Sequence, residues 1–281
     1  MNNKVGKSTN FSVLMSVYRN DKPDDVRTAV ESITIKQSVK PDEVVLMIDG
    51  PVPTDLKETV MELAAEIPSL IPHFLKENGG LGNALNIGMT KTSYDLVARM
   101  DADDISLPDR FEKQIAYMEE HPDCDIVGGQ ITEFIDSEYN IVGKREVPVN
   151  NSDIYLWIKK RCPFNHTSVM FRRSKVLDVG NYIDWHFNED YYLWIRMSEA
   201  GCRFANLPDT LVNVRVSKDM YARRGGWKYF KSEKGLQDYM LSHKMISLPR
   251  YCYNVFGRFV IQVAMPNKLR GFVFQKLFRQ H

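Results

Sequence analysis

The chain has 281 residues, 43% apolar and 26% charged, which suits one large core or two modest ones and excludes a predominantly disordered chain. Its formal charge of +1 provides no global attraction to nucleic acid. Four scattered cysteines (Cys124, Cys162, Cys202, Cys252) without a CxxC pair argue against a disulfide framework or a structural zinc site, and for a reducing compartment. The polar opening MNNKVGKSTN lacks a signal-peptide core, and no run of 18 uncharged apolar residues is present to span a bilayer.

The first half alternates apolar runs with helical periods. Phe11–Tyr18 reads as a strand, Asp24–Gln37 as a helix with Val26, Ala29, Val30 and Ile33 on one face, and Glu43–Asp49 as a buried strand. Thr54–Glu66 follows as a helix with Thr54 as N-cap, then a short strand over Pro72–Glu77, a glycine-rich turn, a helix near Leu81–Thr90 and a strand over Tyr94–Asp101. Such alternation implies a parallel α/β sheet, in which ligands bind at the carboxyl ends of the strands. Those ends carry Tyr18, Asp49 and Asp101.

Beyond Asp101 the pattern loosens. Ser106, Pro108 and Asp109 read as a helix entry, with Ser106 as N-cap, and that helix runs to Pro122. Ile126–Ile135 and Ile141–Pro148 read as strands, Asp153–Lys160 as a helix, His166–Arg172 as a strand and Asn188–Ala200 as a helix closed by Gly201. Leu211–Val216 is the last predicted strand, and residues 227–243 and 250–279 read as helical. The organisation is a domain over residues 1–226 with a helical extension over residues 227–281.

Charge is unevenly divided. Residues 241–281 hold seven Lys or Arg and no Asp or Glu, with aromatic and aliphatic residues between the cations. That mixture suits an anionic membrane surface. The other reading is a basic helix docked on the body; RNA is disfavoured because no base-stacking motif accompanies the charge.

Asp101, Asp103 and Asp104 place three carboxylates in four residues behind an apolar strand. They repel one another unless a cation or hydrogen-bond donors compensate, and hard oxygen ligands suit Mg²⁺ or Mn²⁺ shared with substrate phosphates. A polar turn before the next helix is the simpler reading. Glu189-Asp190 is a second acidic pair; it either serves proton transfer or merely favours a helix N-terminus. Gly80-Leu-Gly82 half-matches a dinucleotide fingerprint, but Leu85 stands where the third glycine belongs.

Five motifs in order carry a resemblance: Met15-Ser-Val-Tyr18, Ile48-Asp49-Gly50, the stretch Glu77 to Gly88, Arg99-Met-Asp-Ala-Asp-Asp104, and the stretch Asn188 to Arg196. Over residues 10–216 the chain resembles family 2 glycosyltransferases of the GT-A fold, especially bacterial surface-polysaccharide and O-antigen enzymes. The resemblance implies a Rossmann-like mixed α/β sheet flanked by helices. It implies an inverting enzyme that moves a sugar from a nucleotide-sugar, a UDP-sugar by the carboxylate at Asp49, to a saccharide acceptor such as a polyprenyl-diphosphate-linked oligosaccharide. On that likeness Tyr18 lies against uracil, Asp49 accepts from its ring N–H, Asp101 contacts the ribose or sugar, and Asp103, the second Asp of DxD, holds Mn²⁺ or Mg²⁺. Asp190 matches the family's general base.

His166, Glu189 and Trp194 are candidates for the acceptor pocket; a structural His and a core Trp are the plainer readings. Arg223 and Arg224 are candidates to clamp a diphosphate, or else a solvated basic turn. The enzyme is expected in the cytoplasm, peripheral on the inner face of the cell membrane, with no nucleic-acid partner. A sugar-nucleotide pyrophosphorylase and a non-catalytic carbohydrate-binding module are the alternatives; the first lacks its N-terminal Gly-rich loop, and the second leaves Asp49 and the acidic pair unexplained.

Overall fold

Residues 9–217 and 225–265 are described by the structure, a computed structural model. The first half folds as alternating units: β1 (Phe11–Val17), α1 (Pro23–Ile33), β2 (Glu43–Ile48), α2 (Thr54–Glu66), β3 (Leu70–Phe74), α3 (Leu81–Met89) and β4 (Leu96–Asp101). The chain continues through β5 (Ile105–Ser106), α4 (Arg110–Glu120), β6 (Ile126–Phe134), β7 (Ile141–Arg145) and α5 (Asn151–Trp157). After a 3₁₀ turn (His166–Ser168) come β8 (Met170–Arg172), α6 (Arg173–Asp178), α7 (Glu189–Glu199), β9 (Phe204–Arg215), α8 (Trp227–Ser242), α9 (Leu248–Phe259) and a π-helical turn (Val260–Ala264).

The nine strands form one sheet in the order β3-β2-β1-β4-β8-β6-β9-β5, with β7 also on β6. The first four strands are parallel, as the alternation predicts. From β8 onward the sheet is mixed: β8 is antiparallel to β4 and β6, β9 is parallel to β6, and β5 is antiparallel to β9. Side chains alternate between two cores, as period-two strands covered on both faces require. Phe11, Val13, Met15 and Val17 of β1 pack with Val26, Ala29 and Val30 of α1 and Leu56 and Val60 of α2. Leu14 faces the other core, with Leu85 of α3, Leu193 and Trp194 of α7, and Leu236 and Met240 of α8.

Several local expectations are corrected. Thr54 is the first residue of α2 behind Pro53, and no side chain caps that helix. Ser106 is not an N-cap: it lies buried in β5, its N–H donating to Ser32 Oγ at 3.0 Å and its hydroxyl accepting from Gln37 at 3.2 Å, so α4 begins at Arg110. The expected strand from His166 is shortened because Asn165 and Ser168 bond to the backbone of Gly129, which draws His166–Ser168 into a turn. The last strand begins at Phe204 rather than Leu211, because a register shift opposite Gly129 and Gln130 absorbs Pro208-Asp209.

The C-terminal helices divide their roles. α8 buries Leu236 and Met240 beside α7. α9 turns its polar face inward: buried Asn254 donates to Lys159 O and Gln237 Oε1, and Arg258 pairs with Glu233 and donates to Lys160 O. Its large apolar residues point outward, with Tyr253 75% and Phe256 70% exposed.

Candidate active site

The carboxyl ends of β1, β2 and β4 lie side by side, because these strands pair in register. Tyr18 follows β1 with its ring 39% exposed. The turn behind it is closed by Asp21, whose carboxylate accepts the Tyr18 N–H at 2.8 Å. Asp49 follows β2 and is buried; its two oxygens accept the N–H groups of Gly79 (2.8 Å) and Gly80 (2.9 Å). It thereby fixes the glycine-rich turn at the start of α3. That turn needs glycine: Gly80 has φ +85°, and at Gly50 (φ +83°) a Cβ would lie 2.4 Å from the Asn78 nitrogen.

Asp101 ends β4 and is bonded to Arg99 at 2.5 Å, while its N–H donates to Thr167 Oγ1. Asp103 is exposed at the turn, and Asp104 is buried, accepting the Arg215 N–H at 2.9 Å. The Arg215 guanidinium reaches Asp25 at 2.8 Å and Asp103 O at 3.2 Å, tying this turn to α1. Carboxylates outnumber the cations here, and their protonation shows it. Crowding by protein, then the charge of Asp101, pushes Asp103 up to about 6. Burial, with Asp103 and Asp101 adding repulsion, pushes Asp21 up to about 7. Asp104 is held well above its usual range by burial and by the charges of Asp101 and Asp103.

Such a cluster fits a divalent cation, which would relieve the repulsion and is matched by hard oxygen donors. Among the described residues no three His, Cys, Asp or Glu side chains converge as a ready-made ligand set. An ion here would therefore complete its shell with substrate and water oxygens, the habit of Mg²⁺-type sites.

The second acidic pair opens α7. Asp190 accepts the Tyr191 N–H at 2.6 Å, and the Cys162 thiol donates to it at 3.5 Å. Glu189 is pushed up to about 8, chiefly by burial and then by the charge of Asp190; Arg99 opposes the rise and Asp101 adds to it. Glu189 thus feels the charges of both Asp101 and Arg99; Arg99 is 1% exposed and leaves Nε and Nη1 without hydrogen-bond partners. Burial works against the Arg99 charge, but Asp101, Tyr182 and Asp104 hold its pKa above the ordinary arginine value. Gly82 of α3 also packs here, where a Cβ would lie 3.0 Å from Asp184 Cα and 3.3 Å from Glu189 Cβ.

Thus Tyr18, Asp49, Asp101, Asp103, Glu189 and Asp190 gather around the strand ends. His166 joins them, bonded to the Tyr182 hydroxyl at 3.0 Å; burial and the Arg99 charge keep it neutral, well below the usual histidine pKa. Trp194 as an acceptor-pocket residue is corrected: it is wholly buried in the core, edge-on to Phe164 and His166. Arg223 and Arg224 lie outside the described residues. Sequence reasoning missed Asp21, Arg215, Tyr182 and Cys162. Asp21 was within reach as an acid three residues past a strand end; Arg215, 112 residues from Asp103, carried no local signal.

A Rossmann-like sheet with acidic residues gathered at its strand ends is an α/β architecture whose candidate ligand site lies at the carboxyl ends of the strands. The profile described as "Glycosyl transferase family 2" matches residues 12–180. The chain is 40% identical over 266 residues to the amylovoran biosynthesis glycosyltransferase AmsE of Erwinia amylovora, covering 95% of this chain and 98% of that one. It is 36% identical over 273 residues (96% and 97%) to the UDP-Gal:alpha-D-GlcNAc-diphosphoundecaprenol beta-1,3-galactosyltransferase of Escherichia coli. Among solved structures, S. aureus TarS 1-349 in complex with UDP-GlcNAc superposes with a TM-score of 0.68 over 95% of this chain and 76% of that one, at 16% identity. The chain belongs to glycosyl transferase family 2 and is a glycosyltransferase with the GT-A fold, of the kind found in surface-polysaccharide biosynthesis. The pyrophosphorylase and carbohydrate-binding-module readings fall away with that result.

Proposed function

We propose that this enzyme transfers a hexose, with inversion, from a UDP-sugar to a polyprenyl-diphosphate-linked saccharide. The observation that carries the reading is the carboxylate-rich Asp101–Asp104 turn at the end of β4, where Asp101 is bonded to buried Arg99; the charges of both are felt at Glu189, at the start of α7. The E. coli relative, named for UDP-Gal and a GlcNAc-diphosphoundecaprenol acceptor, makes UDP-galactose the first donor to test.

Tyr18 offers its exposed ring to uracil, and Asp49 shapes the base pocket through the glycine turn, with lone pairs left for the uracil N–H. Asp101 contacts the ribose or sugar. Asp103 would hold Mn²⁺ or Mg²⁺, which when bound supplies positive charge against the departing diphosphate. Asp190 takes the proton of the acceptor hydroxyl as its oxygen bonds to the anomeric carbon and the bond to UDP breaks. Glu189, protonated near neutrality, leaves Asp190 as the base. His166, neutral and oriented by Tyr182, lines the acceptor side, and Arg223 and Arg224 are candidates for a diphosphate. The test is a panel of sugar nucleotides assayed for nucleotide release with a short-chain α-GlcNAc diphospholipid. Release with one UDP-sugar that depends on this acceptor supports the reading; acceptor-dependent release from only GDP- or dTDP-sugars contradicts it.

The acceptor's lipid implies a surface to work on, and α9 supports peripheral binding at the cytoplasmic face of the membrane. No described helix is long and apolar enough to cross a membrane. Instead α9 shows lipid-sized side chains outward (Leu248, Tyr253, Phe256), continued by Val260 in the turn after it, beside exposed Lys244 and Arg250, the arrangement of a helix lying in an anionic interface. Full-length protein is expected to sediment with anionic vesicles at low salt and less at high salt, whereas Phe256→Ser is expected to weaken sedimentation without changing Tm.

A further inference from the structure

Phe187 stands out in the segment that leads into α7. The residue is 57% exposed, although it sits two residues before Glu189 and three before Asp190. Its backbone has φ +58°, a left-handed conformation that a bulky side chain rarely adopts. Nothing in the hydrophobic cores requires this ring, so the backbone conformation is held by other groups.

Those groups are on α8. The Trp185 indole donates to Ser232 O at 3.1 Å and lies against Gly235, where a Cβ would be 2.8 Å from the ring. The Ser232 hydroxyl donates to His186 O at 2.6 Å and accepts from Asn188 Nδ2 at 3.0 Å. Residues 185, 186 and 188 are therefore all fixed, and Phe187 between them is pushed out. Its ring stands 4.3 Å from the His186 ring and 6.3 Å from that of Tyr229. From the other side, Asp184 and Glu189 rest on Gly82 at the start of α3, behind the glycine turn that Asp49 fixes.

We propose that Phe187, backed by Tyr229, is a stacking platform for the acceptor sugar. The apolar face of a pyranose, with its C–H bonds, suits an exposed aromatic ring, and a sugar held on a ring three residues before Asp190 in the chain would bring an acceptor hydroxyl to the start of α7. Strain held in place by surrounding structure is common at ligand sites. The platform rests on the functional reading above, since it needs a saccharide acceptor. It also gives α8 a task in the reaction: Ser232 and Gly235 are positioning residues for the platform and for the start of α7.

The test is acceptor kinetics of full-length Phe187→Tyr, Phe187→Leu and Phe187→Gly with the short-chain α-GlcNAc diphospholipid. Phe187→Gly relieves the left-handed strain, so its Tm should hold or rise while the ring is lost. We expect acceptor KM to rise about tenfold or more in the Leu and Gly variants, to stay within twofold in the Tyr variant, and donor KM to stay within twofold in all three. Wild-type acceptor KM in Leu and Gly overturns the platform. So does a loss in Tyr equal to that in Gly, or rescue by Leu, which would mean that apolar bulk against lipid, not a ring against sugar, is at work. If the wild-type enzyme releases no nucleotide with any donor, the functional reading fails separately. Saturation-transfer NMR on the same acceptor then decides the platform: saturation of the sugar protons in wild type that is lost in Phe187→Leu supports it, and equal saturation overturns it.

Discussion

The β1–β4 half and the α7 half of this enzyme are built by different means. From β1 to β4, side chains are aimed by regular strands: Tyr18, Asp49 and Asp101 follow strand ends whose register is fixed by parallel pairing. Around α7, side chains are aimed by long-range clamps. The Arg196 guanidinium donates to Val179 O (2.6 Å) and Asn181 O (2.7 Å), Ser232 holds the backbone of His186, and Cys162 touches Asp190. The first design makes the strand-end cluster, the proposed donor site, a property of the sheet. The second makes the start of α7, the proposed base and acceptor side, depend on residues from α5 to α8.

The largest losses are expected at the charges. Asp103→Ala is expected to lower transfer by about 10²–10³-fold, the scale of losing one preorganised electrostatic partner, while Tm holds. Chelation with EDTA should act in the same direction, and full activity in EDTA would remove the ion. Asp190→Asn is expected to lower kcat by about 10²-fold with donor KM unchanged, the usual scale for a general base.

Two packing changes sharpen the comparison. Gly88→Ala places a Cβ 2.5 Å from Leu14 Cδ1 and 2.9 Å from Met47 Cγ, behind the proposed donor site; Gly235→Ala crowds Trp185, behind the proposed acceptor side. Each is expected to destabilise by about 1–3 kcal/mol, the scale of overpacking. Thermal melts should show both losses, but only Gly235→Ala should raise acceptor KM. The smallest effect concerns pH. The folded Glu189 pKa of about 8 lies above its unfolded value, so the folded state binds the extra proton. That contribution favours folding at low pH and is lost as pH rises through 8. The Tm advantage of Glu189→Gln over wild type should therefore grow from pH 6 to pH 9, and a constant difference would contradict the burial of this group.

The two halves also differed in how far the sequence could be read. β1, β2 and β4 were legible because a strand buried on both faces is written as an unbroken apolar run, such as EVVLMI. The DxD turn and the acidic pair at Glu189-Asp190 were legible because clustered carboxylates demand an explanation. Ser106 misled because Ser-x-Pro-Asp reads locally as a helix start, whereas Ser32 and Gln37 hold it in a strand from 74 and 69 residues away. The antiparallel β8, the early start of β9 and the clamp on Phe187 were hidden for the same reason: each is decided by partners distant in sequence. Trp194 was ambiguous because an aromatic residue on an amphipathic helix carries no mark of which face is buried.

The central claim is that donor binding and proton removal are separate tasks of the two halves. It is tested most directly by calorimetric titration of the UDP-sugar, in the presence of Mn²⁺, into Asp190→Asn and Asp103→Ala. The account expects Asp190→Asn to bind within twofold of wild type although it transfers about 10²-fold more slowly, and Asp103→Ala to bind at least tenfold more weakly. Weakened binding in Asp190→Asn, or wild-type binding in Asp103→Ala, would contradict it.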